Sequence, residues 1–496
     1  MKKNMLLLLF CLGLIPYAFG QNTLKISDGN LKTVGNTFLV LNNTQWVNNG
    51  TFDAGTGTVA LKGSGTNLQS AISGDSLTTF YNLQLNKSSN GAQLNRSATV
   101  NNQLQMTAGN LTLNNNNLTL GTANGTIIGE SETSRVTGTT GGVITKTITL
   151  NAPSNLNPGN LGCVLTSSAN IGSVTVRRGH VPQTVHGSTQ SIERYFEFDA
   201  ANTANYDLSV KFQYFNAELN ALTESTLGFW RQDSTLWFNP PVSSFDANTN
   251  EAQISNVNVL SKWTLATEST KFSAKVILEG AYSDMTSLMT DVLRTSNLIP
   301  TKTPYQSPTF QFGSGEGNES INPAILTTTG NDAIVDWVYV AIRDGSNAVI
   351  SARSALLQRD GDIVDLDGRS PLSFPEINTT GSNFLSIRHR NHLGIRSLNT
   401  LTQSSTATSI DFTTSNTLVL GGANALKLTM DGKYVLFSGD FSGDGQVQIA
   451  DLNGLIPFLG QSGYLPGDID LNGQVQNVDA QTFMFPNFGR GAQYTY

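Results

Sequence analysis

The sequence predicts an all-β protein built from several domains. Apolar residues alternate with polar ones through most of the chain, clusters of Gly and Asn interrupt the alternating runs, and one acidic loop occurs twice near the C-terminus. Alternation with a period of two is typical of strands that bury one face, and Gly and Asn are typical of the turns between them. At 496 residues the chain exceeds the usual size of one domain, so we expect several.

Residues 1–20 have the pattern of a secretory signal peptide. A basic head precedes an apolar run that is too short to span a bilayer, and small residues at Ala18 and Gly20 favour cleavage before Gln21. Removal of this segment leaves Cys163 as the single cysteine, which excludes an internal disulfide and fits a bacterial export route. No later segment offers about 18 consecutive apolar residues, so we expect a secreted or cell-surface protein whose mature chain has no transmembrane segment.

Residues 21–150 predict a β-solenoid. Only 12 of them are charged, and four short strand cores begin at Leu39, Val59, Leu83 and Leu104, at spacings of 20, 24 and 21 residues. This spacing suits one rung of a solenoid, which buries its inward apolar side chains against the rungs on either side. An ordinary β-sandwich is the alternative. The predicted inward row contains Leu41, Leu61, Leu85 and Leu113.

The middle of the chain predicts two β-sandwich domains. Residues 151–270 gain aromatic residues within period-two segments, which is typical of an antiparallel sandwich. Residues 271–435 contain further strands and favour an immunoglobulin-like sandwich that carries a short helix. We expect the helix over Met285–Ser296, with Asp284 as its N-cap, because apolar residues recur there at helical spacing.

Residues 436–496 contain the acidic loop twice, as Asp440–Asp451 and, 28 residues on, as Asp468–Asp479. In a twelve-residue calcium loop, oxygens at positions 1, 3, 5, 7, 9 and 12 surround one ion, and Gly at position 6 allows a sharp turn. Both copies fit this scheme and predict EF-hand-like Ca²⁺ sites, whereas two solvated Asx-Gly turns, the alternative, do not account for the fixed offset. We expect Val447 and Val475, at position 8, to pair the loops back to back. The predicted ligands are Asp440, Ser442, Asp444, Gln446, Gln448, Asp451, Asp468, Asp470, Asn472, Gln474, Gln476 and Asp479.

These loops resemble the dockerin repeat, a duplicated calcium loop that ends in Asp and docks bacterial surface or secreted proteins onto cohesin modules. The resemblance covers residues 436–496 and implies Ca²⁺ as the cofactor and a cohesin-like module as a partner. The sequence departs from the dockerin pattern after each loop, where Pro457 and Pro486 prevent a long uninterrupted helix.

A second resemblance covers residues 272–496. Strings such as Asp336-Trp-Val-Tyr-Val and Arg388-His-Arg-Asn-His-Leu-Gly are similar to the C-terminal region of large Bacteroidetes surface proteins that are often labelled hemagglutinin-like. In that group such a module commonly precedes a paired calcium loop and follows strand repeats rich in Asn and Thr. The resemblance implies a cell-surface location more than it implies an activity.

Composition and motifs exclude several functions. Charged residues are 13% of the chain, the net charge is −7 and no basic cluster follows the signal peptide, so nucleic acid is not an expected partner. The sequence has no nucleophile elbow, phosphate-cradling glycine loop or zinc-protease helix, so we predict no catalytic residue and expect the protein not to be an enzyme.

Three groups of residues leave alternatives open. His389 and His392 are expected on opposite faces of a strand end, where they would hold the nearby acidic loop rather than a metal. That loop, Asp360–Asp367, has four carboxylates and either binds a third cation, is neutralised by arginines, or supplies an acid and a base for a glycosidic bond. A group of three aromatic residues between positions 230 and 238 either stacks on sugars or packs in a core. Its members are Trp230, Trp237 and Phe238.

The expected function is that of a secreted or cell-surface, calcium-binding, adhesin-like protein. It would contact cell-surface glycans, other carbohydrates or protein ligands without catalysis. One alternative is a polysaccharide-degrading enzyme, a lyase or glycosidase, and the scattered carboxylates of residues 21–150 argue against it. Another alternative is a scaffold subunit that docks a cohesin through residues 436–496.

Overall fold

The computed structural model of the chain describes residues 22–65, 69–186, 189–202, 207–233, 235–240, 244–306, 310–312, 317–375, 377 and 380–496. The predicted signal peptide lies outside these residues. Strands make up 47% of the structure and helices 11%, which confirms a mostly-β fold. Among the described residues, no helix has both the length and the apolarity needed to cross a membrane.

The strands of the described residues have up to 11 residues, and the helices are short. The strands of the first half are β1 Asn22–Lys32, β2 Phe38–Asn42, β3 Thr44–Asp53, β4 Thr58–Gly63, β5 Ser70–Ser73, β6 Thr78–Lys87, β7 Ala92–Leu94, β8 Ala98–Ala108, β9 Leu111–Thr112, β10 Leu118–Leu120, β11 Thr126–Ile128, β12 Val136–Thr137, β13 Val143–Asn151, β14 Cys163–Ser167, β15 Asn170–Gly179, β16 Thr184–His186, β17 Thr189–Gln190, β18 Tyr195–Ala200 and β19 Leu208–Gln213. Those of the second half are β20 Leu227–Asp233, β21 Leu236–Phe238, β22 Ser244–Asp246, β23 Glu251–Val257, β24 Lys262–Thr267, β25 Thr270–Lys275, β26 Tyr282–Ser283, β27 Leu288–Met289, β28 Ile334–Arg343, β29 Val349–Gln358, β30 Asp362–Val364, β31 Leu372–Phe374, β32 Ser382–His389, β33 His392–Arg396, β34 Leu401–Thr402, β35 Thr408–Asp411, β36 Leu426–Leu428 and β37 Tyr434–Leu436. The helices are α1 Val292–Thr295, α2 Ile449–Leu455, a π-helix Asp479–Met484, and 3-10 turns at Pro158–Asn160, Asn216–Glu218, Glu224–Thr226, Pro323–Thr327, Gly330–Asp332, Asn416–Leu418, Gly422–Asn424, Ile456–Phe458 and Phe485–Asn487.

The chain divides into two compact units. The first contains residues up to Val181, Phe196–Ala217 and Val257–Leu260. The second contains Pro182–Tyr195, Glu218–Asn256 and Ser261–Tyr496. The first unit therefore holds the predicted solenoid, and the second holds the acidic loops.

The first unit is built on a β-solenoid, as predicted. One sheet has the strand order β1-β3-β5-β7-β9-β12, and another begins with the order β2-β4-β6-β8-β10-β13. The pairings within these two series are parallel. Parallel pairing of strands about 20 residues apart excludes the alternative sandwich, because hairpin-connected strands are antiparallel.

The predicted spacing of the strand cores is the register in which the rungs stack. Leu83 is the register partner of Val59 on one side and of Leu104 on the other, and Leu39 pairs with Val59. Each rung thus places an equivalent apolar residue at the same point of the sheet. Full burial of one such side chain contributes about 1.5–3 kcal/mol, and the stack repeats this gain at every rung.

The neighbouring inward row differs from the prediction at one position. Leu41, Leu61 and Leu85 are buried register partners, but the next partner is Met106 rather than Leu113. Leu113 is also buried but follows β9, a strand of the other sheet. The prediction was wrong there because the chain turns between β8 and β9, so one rung contributes a strand to each sheet.

The core of the second unit is a sheet with the order β31-β25-β30-β29-β28-β32-β33. Strand β28 is central and pairs antiparallel with β29 and β32. All ten of its residues are buried, which accounts for its near-continuous apolar sequence. Only Asp336 and Arg343 interrupt this apolar sequence, and both are buried as well. Asp336 positions the site described below.

The helix predicted over Met285–Ser296 is wrong except at its end. The structure has a short antiparallel hairpin of β26 and β27, followed by the single turn α1. Ser287 has a φ of 53°, a left-handed conformation that closes the hairpin and that does not occur inside a helix. Strand pairing therefore replaces the helical pattern, and Asp291 rather than Asp284 occupies the N-cap position.

Candidate metal centre

The two acidic loops, residues 440–451 and 468–479, hold their position-1 carboxylates in the same way. Asp440 accepts a hydrogen bond from the Gly445 N–H at 3.1 Å, and Asp468 accepts one from the Gly473 N–H at 2.9 Å. Both glycines, at position 6, have a positive φ, 85° and 86°, which Gly adopts without strain. The requirement for Gly at position 6 is therefore met in both copies.

The carboxylates at position 12 close each loop. One oxygen of Asp451 accepts from the Ser442 N–H at 2.8 Å, and the other accepts from the Gln448 N–H at 2.9 Å. Asp479 makes the two equivalent bonds in the second loop, at 3.2 and 2.7 Å. Positions 3, 9 and 12 are thereby drawn together in each copy.

The ligand side chains at positions 1 and 12 are buried, whereas those at positions 5 and 9 are more exposed to solvent. The four carboxylates at positions 1 and 12 are at most 1% exposed; they are Asp440, Asp451, Asp468 and Asp479. Asp444 at position 5 of the first loop is exposed, and its equivalent in the second loop, Asn472, is half-buried. Gln448 and Gln476 at position 9 are exposed. Each loop is therefore closed on its inner side and open to solvent on its outer side, from which an ion can enter.

Burial and like charges raise the pKa values of carboxyl groups in both loops. Burial, with help from Asp451 and Asp444, raises the pKa of Asp440 to about 7. Burial also raises the pKa of Asp468 to about 7, although Arg390 opposes this shift. The pKa of Asp470 is raised by burial and by Asp479. A bound divalent cation reverses such shifts, because it favours the charged form of its ligands.

Carboxylate oxygens converge in the second loop. One oxygen from each of Asp468, Asp470 and Asp479 lies within 4.8 Å of the others. Calcium takes six to eight oxygen ligands at about 2.3–2.6 Å, so oxygens that share one ion lie within about 5 Å of one another. The three carboxylates of the second loop therefore have a spacing that fits one calcium ion.

The predicted pairing of the loops through Val447 and Val475 is wrong, although both residues are buried. The Val447 N–H donates to the carbonyl of Arg490 at 2.8 Å, and the Val475 N–H donates to the carbonyl of Gln461 at 2.9 Å. Each loop thus pairs with the segment that follows the helix of the other loop. A proline ends each helix early and lets the chain return, so the two halves interlock instead of meeting only at their centres.

One inserted residue distinguishes the second half from the first. Equivalent residues are 28 apart up to Asp451 and Asp479, but Pro457 and Pro486 are 29 apart. The first loop leads into the α-helix α2, whereas the second leads into the π-helix Asp479–Met484. A π-helix has a wider turn and absorbs one extra residue within a helix. The segments that cross to the opposite loop therefore stay equivalent despite the insertion.

His389 and His392 face each other, which corrects the prediction of opposite faces. They are register partners across the two-residue turn between β32 and β33, and their Nδ1 atoms are 3.1 Å apart. Residues paired directly across a hairpin point to the same face. The prediction treated these residues as one continuous strand and missed the turn.

The hydrogen bonds of this histidine hairpin, residues 388–392, are consistent with two neutral rings. His392 accepts from the Gly280 N–H at Nε2, so Nδ1 carries its proton and donates to Asn391 Oδ1 at 2.8 Å. The same His392 N–H also faces His389 Nδ1, which accepts from it at 3.1 Å. His389 in turn donates from Nε2 to Asp336 at 3.2 Å. Burial lowers the pKa of both histidines, which favours these neutral forms.

Asp336 joins the central strand of the sheet to the segment between the acidic loops. It has no exposed surface and accepts hydrogen bonds from Arg390 Nε at 2.9 Å and from the Tyr464 hydroxyl at 2.6 Å. Burial raises the pKa of Asp336, but the Arg390 guanidinium and the bonds from His389 and Tyr464 outweigh burial and hold the pKa below its usual range. Asp336 is therefore a buried anion that is paired and hydrogen-bonded.

The histidine hairpin also holds both acidic loops. Arg388 donates to the carbonyl of Gly443 in the first loop at 2.8 Å. Asn391 donates to the carbonyl of Asp468 in the second loop at 2.8 Å, and Arg390 donates to the carbonyl of Leu465 just before it. The sequence predicts a hairpin that holds the loop Asp360–Asp367. The hydrogen bonds show that it holds the paired acidic loops instead.

Two further contacts fasten residues 436–496, the C-terminal segment, to the rest of the second unit. Glu279 accepts hydrogen bonds from the Ser438 N–H and hydroxyl, both at 2.9 Å, and from Asn487 Nδ2 at 2.7 Å. The Tyr496 hydroxyl accepts from the Gly394 N–H at 2.6 Å and lies 3.3 Å from Asp440. Sequence reasoning missed these residues, since an isolated Glu or Tyr carries no local signal of a distant partner.

The four carboxylates of the loop Asp360–Asp367 are divided among Lys275, Arg353 and Arg369. Lys275 lies 3.3 Å from Asp360 and 3.1 Å from Asp362, and Arg353 lies 2.5 Å from Asp365. In the described part of the chain these carboxylates do not gather into a common metal cluster. A turn neutralised by Lys and Arg is therefore the interpretation that fits.

The predicted aromatic group is divided between core and surface. Trp230 and Phe238 are 1% and 7% exposed and belong to the core. Trp237 is half-buried and packs against the cluster of Val185, Trp230 and Ala266. Trp237 alone of the three is thus available for a ligand to stack on.

Comparison with protein-family models, with curated proteins and with solved structures finds no match for this chain. The geometry of the loops and of their contacts is therefore the basis for assigning a function.

Proposed function

We propose that the protein is a secreted or cell-surface, calcium-stabilised, adhesin-like protein that contacts carbohydrate or protein ligands without catalysis. The observation that carries the calcium part is the burial of a position-1 and a position-12 carboxylate in each of two equivalent loops. The ion pairs of the described residues do not include these four carboxylates. Burial of unpaired charge is costly, and a calcium ion in each loop offsets that cost.

Calcium would act structurally in this protein. Each loop bonds the histidine hairpin through a backbone carbonyl, Gly443 in the first and Asp468 in the second. Ordering of the loops by the ions therefore also orders the contact between the C-terminal segment and the sheet. Such a lock replaces the disulfides that the mature chain cannot form with a single cysteine.

We also infer that residues 151–270 and 271–435 are two β-sandwich domains and that the paired loops are EF-hand-like. The antiparallel pairing of β14 with β19, and of β28 with β29 and β32, supports the first inference. The equivalent hydrogen bonds at positions 1, 6 and 12 support the second. The pattern of residues 1–20 supports export.

A glycan array with the mature full-length protein tests the adhesive function. In about 1 mM calcium, a level that suits extracellular calcium modules, we expect binding to a subset of glycans. Binding should fall in EGTA and return more fully with calcium than with magnesium. An array without bound glycans would refute carbohydrate adhesion. Release of reducing ends or unsaturated sugars from a polysaccharide panel would instead establish the enzyme alternative.

A second candidate function, the docking of a cohesin-like protein module, is favoured by a repeated surface feature. Exposed apolar pairs follow each loop at equivalent positions, 29 residues apart; they are Ile456 with Leu459, and Phe485 with Phe488. These side chains are 39–49% exposed. Apolar residues repeated on a surface are typical of protein interaction sites.

Purified cohesin modules are the probe for this second candidate. Because the apolar pair occurs twice, we expect Leu459→Asp or Phe488→Asp alone to leave binding intact and the double variant to abolish it. Val34→Asp, at a residue that is 73% exposed in the solenoid, is the matched control. Absence of binding by the wild-type protein in calcium, or full binding by the double variant, would contradict docking through these pairs.

A further inference from the structure

The second unit contains a cleft with two adjoining compartments, of about 550 Å³ and about 250 Å³. Both compartments are lined by Thr235, Leu236, Phe238 and Leu366, which form their common wall. Clefts of about 300–1,000 Å³ that combine apolar walls with a few polar groups are the usual form of small-ligand sites. The cleft is therefore large enough for a ligand with two or more linked rings.

The walls of the cleft mix apolar and hydrogen-bonding groups. Phe238, Ile321 and Ile325 supply apolar surface to the larger compartment, which Asp233 and Arg369 also line. Asp233 is exposed, and the Arg369 side chain is 51% exposed, so both reach an incoming ligand. Trp237 lines the smaller compartment.

The charges that line the cleft nearly balance. Three carboxylates, Asp233, Asp367 and Glu319, face two guanidinium groups, Arg369 and Arg353. Behind this lining, Arg231 lies 3.8 Å from Asp367, and Asp365 lies 2.5 Å from Arg353. Burial, with a smaller effect from Arg353, lowers the pKa of His186 in the smaller compartment to about 4, so this ring is neutral at pH 7. A wall whose small net charge is negative favours a neutral ligand over a strongly anionic one.

Two polar atoms buried beneath the wall of the smaller compartment remain unsatisfied. Glu319 Oε2 and Arg353 Nε, on side chains that line the smaller compartment, have no hydrogen-bond partner among the described residues. One is an acceptor and the other a donor, and leaving such groups unpaired costs about 1–3 kcal/mol each. Ligand hydroxyl groups, which both donate and accept, suit both.

We propose that this cleft binds a neutral saccharide, an inference that depends on the proposed contact with carbohydrate and locates it. Trp237 packs against the apolar face of a sugar ring. Asp233 and Arg369 bond hydroxyl groups in the larger compartment, and Glu319 and Arg353 bond them in the smaller one.

Calorimetric titration of the full-length protein in calcium tests this proposal. The probes are cellohexaose, xylohexaose, mannohexaose and maltohexaose, with hexagalacturonic acid as the charged counterpart. We expect at least one neutral oligosaccharide to bind and the charged one to bind more weakly. Tighter binding of the charged probe, or binding of a zwitterionic peptide in preference to all sugars, would overturn the assignment of ligand class.

Three variants test the location. Trp237→Ala, Asp233→Asn and Glu319→Gln should each weaken the affinity for the bound oligosaccharide by about tenfold, which corresponds to about 1.4 kcal/mol. Asp233→Asn changes an exposed residue and keeps its shape, so the test survives if Trp237→Ala unfolds. Asp332→Asn, an exposed carboxylate that does not line the cleft, is the matched control.

The outcomes separate this proposal from the proposed function. If the array shows bound glycans but Asp233→Asn and Glu319→Gln bind the titrated sugar like the wild type, the cleft is not the site and adhesion stands. If neither the array nor the titration shows binding, carbohydrate adhesion fails and the cleft proposal fails with it.

Discussion

Chelation of calcium is expected to lower the melting temperature of the full-length protein strongly. An ion that binds the folded loops but not the unfolded chain stabilises the fold by about 4 kcal/mol per site when free calcium is about a thousandfold above Kd. Without the ions, the carboxylates at positions 1 and 12 of each loop are still buried, and burial raises the pKa of Asp440 and Asp468 to about 7. Scanning calorimetry in about 1 mM calcium and in EGTA measures the difference.

The loss of order on chelation should begin in the C-terminal segment. Hydrogen exchange is expected to accelerate first in residues 440–496 and in the histidine hairpin, because the hairpin bonds both loops. The solenoid rungs, which are held by their own parallel ladders, should keep their protection. Magnesium at the same concentration should restore less protection than calcium, since it needs a near-ideal octahedral shell at shorter distances and loses its water reluctantly.

Position-5 variants locate the ions. Asp444→Ala and Asn472→Ala each remove one ligand from the outer side of a loop. In a calcium titration of the full-length protein, the stoichiometry should fall from two ions to one, or the affinity for calcium should decrease. Asp246→Ala is the matched control, because Asp246 is exposed and caps the N–H two residues on at 2.9 Å, as Asp444 does. If the wild type takes up no calcium at millimolar concentration and melts identically in EGTA, the loops are turns only.

The solenoid and the glycine turn of each acidic loop could be predicted because both are repeated in the sequence. The spacing of Leu39, Val59, Leu83 and Leu104 is itself the stacking register, so counting residues sufficed to place the rungs. In the loops, the bonds of positions 1, 6 and 12 form within twelve residues of chain. Local rules for Gly and Asx residues therefore apply to both copies.

The contacts that fasten the loops could not be predicted, because their partners are far apart in the chain. Tyr464 and Asp336 are separated by 128 residues, and Asn487 and Glu279 by 208. Val447 and Val475 each pair with a segment that follows the proline of the other half. The course of the chain after each proline decides these pairings, and the loop pattern does not specify it. The pairing of His389 with His392 similarly depends on a tight turn that only the β32–β33 hairpin specifies.

The second large effect is expected at Asp336, where the sheet meets the C-terminal segment. Asp336→Ala leaves the Arg390 guanidinium buried beside two neutral histidines and removes the acceptor of the Tyr464 hydroxyl. Breaking a buried ion pair from one side costs about 3–5 kcal/mol, because the remaining charge is uncompensated. Urea denaturation of the full-length protein in calcium measures this loss.

Asp336→Ala should also weaken calcium binding, and more in the second loop than in the first. Arg390 and Asn391 bond the carbonyls of Leu465 and Asp468 at the start of the second loop, whereas the first loop is held by Arg388. Loss of the Asp336 anchor frees Arg390 to move, so the second loop loses its support.

A double-mutant cycle separates this mechanism from a general loss of packing. Asp336→Ala with Arg390→Ala removes both charges, and the pair should cost less than the sum of the two single changes. Asp362→Ala, a carboxylate near the surface paired with Lys275, should cost about 1 kcal/mol or less and leave both calcium sites intact. Additive costs for Asp336 and Arg390, or equal weakening of the two calcium sites, would show that Asp336 fills space in the core and does not position the second loop.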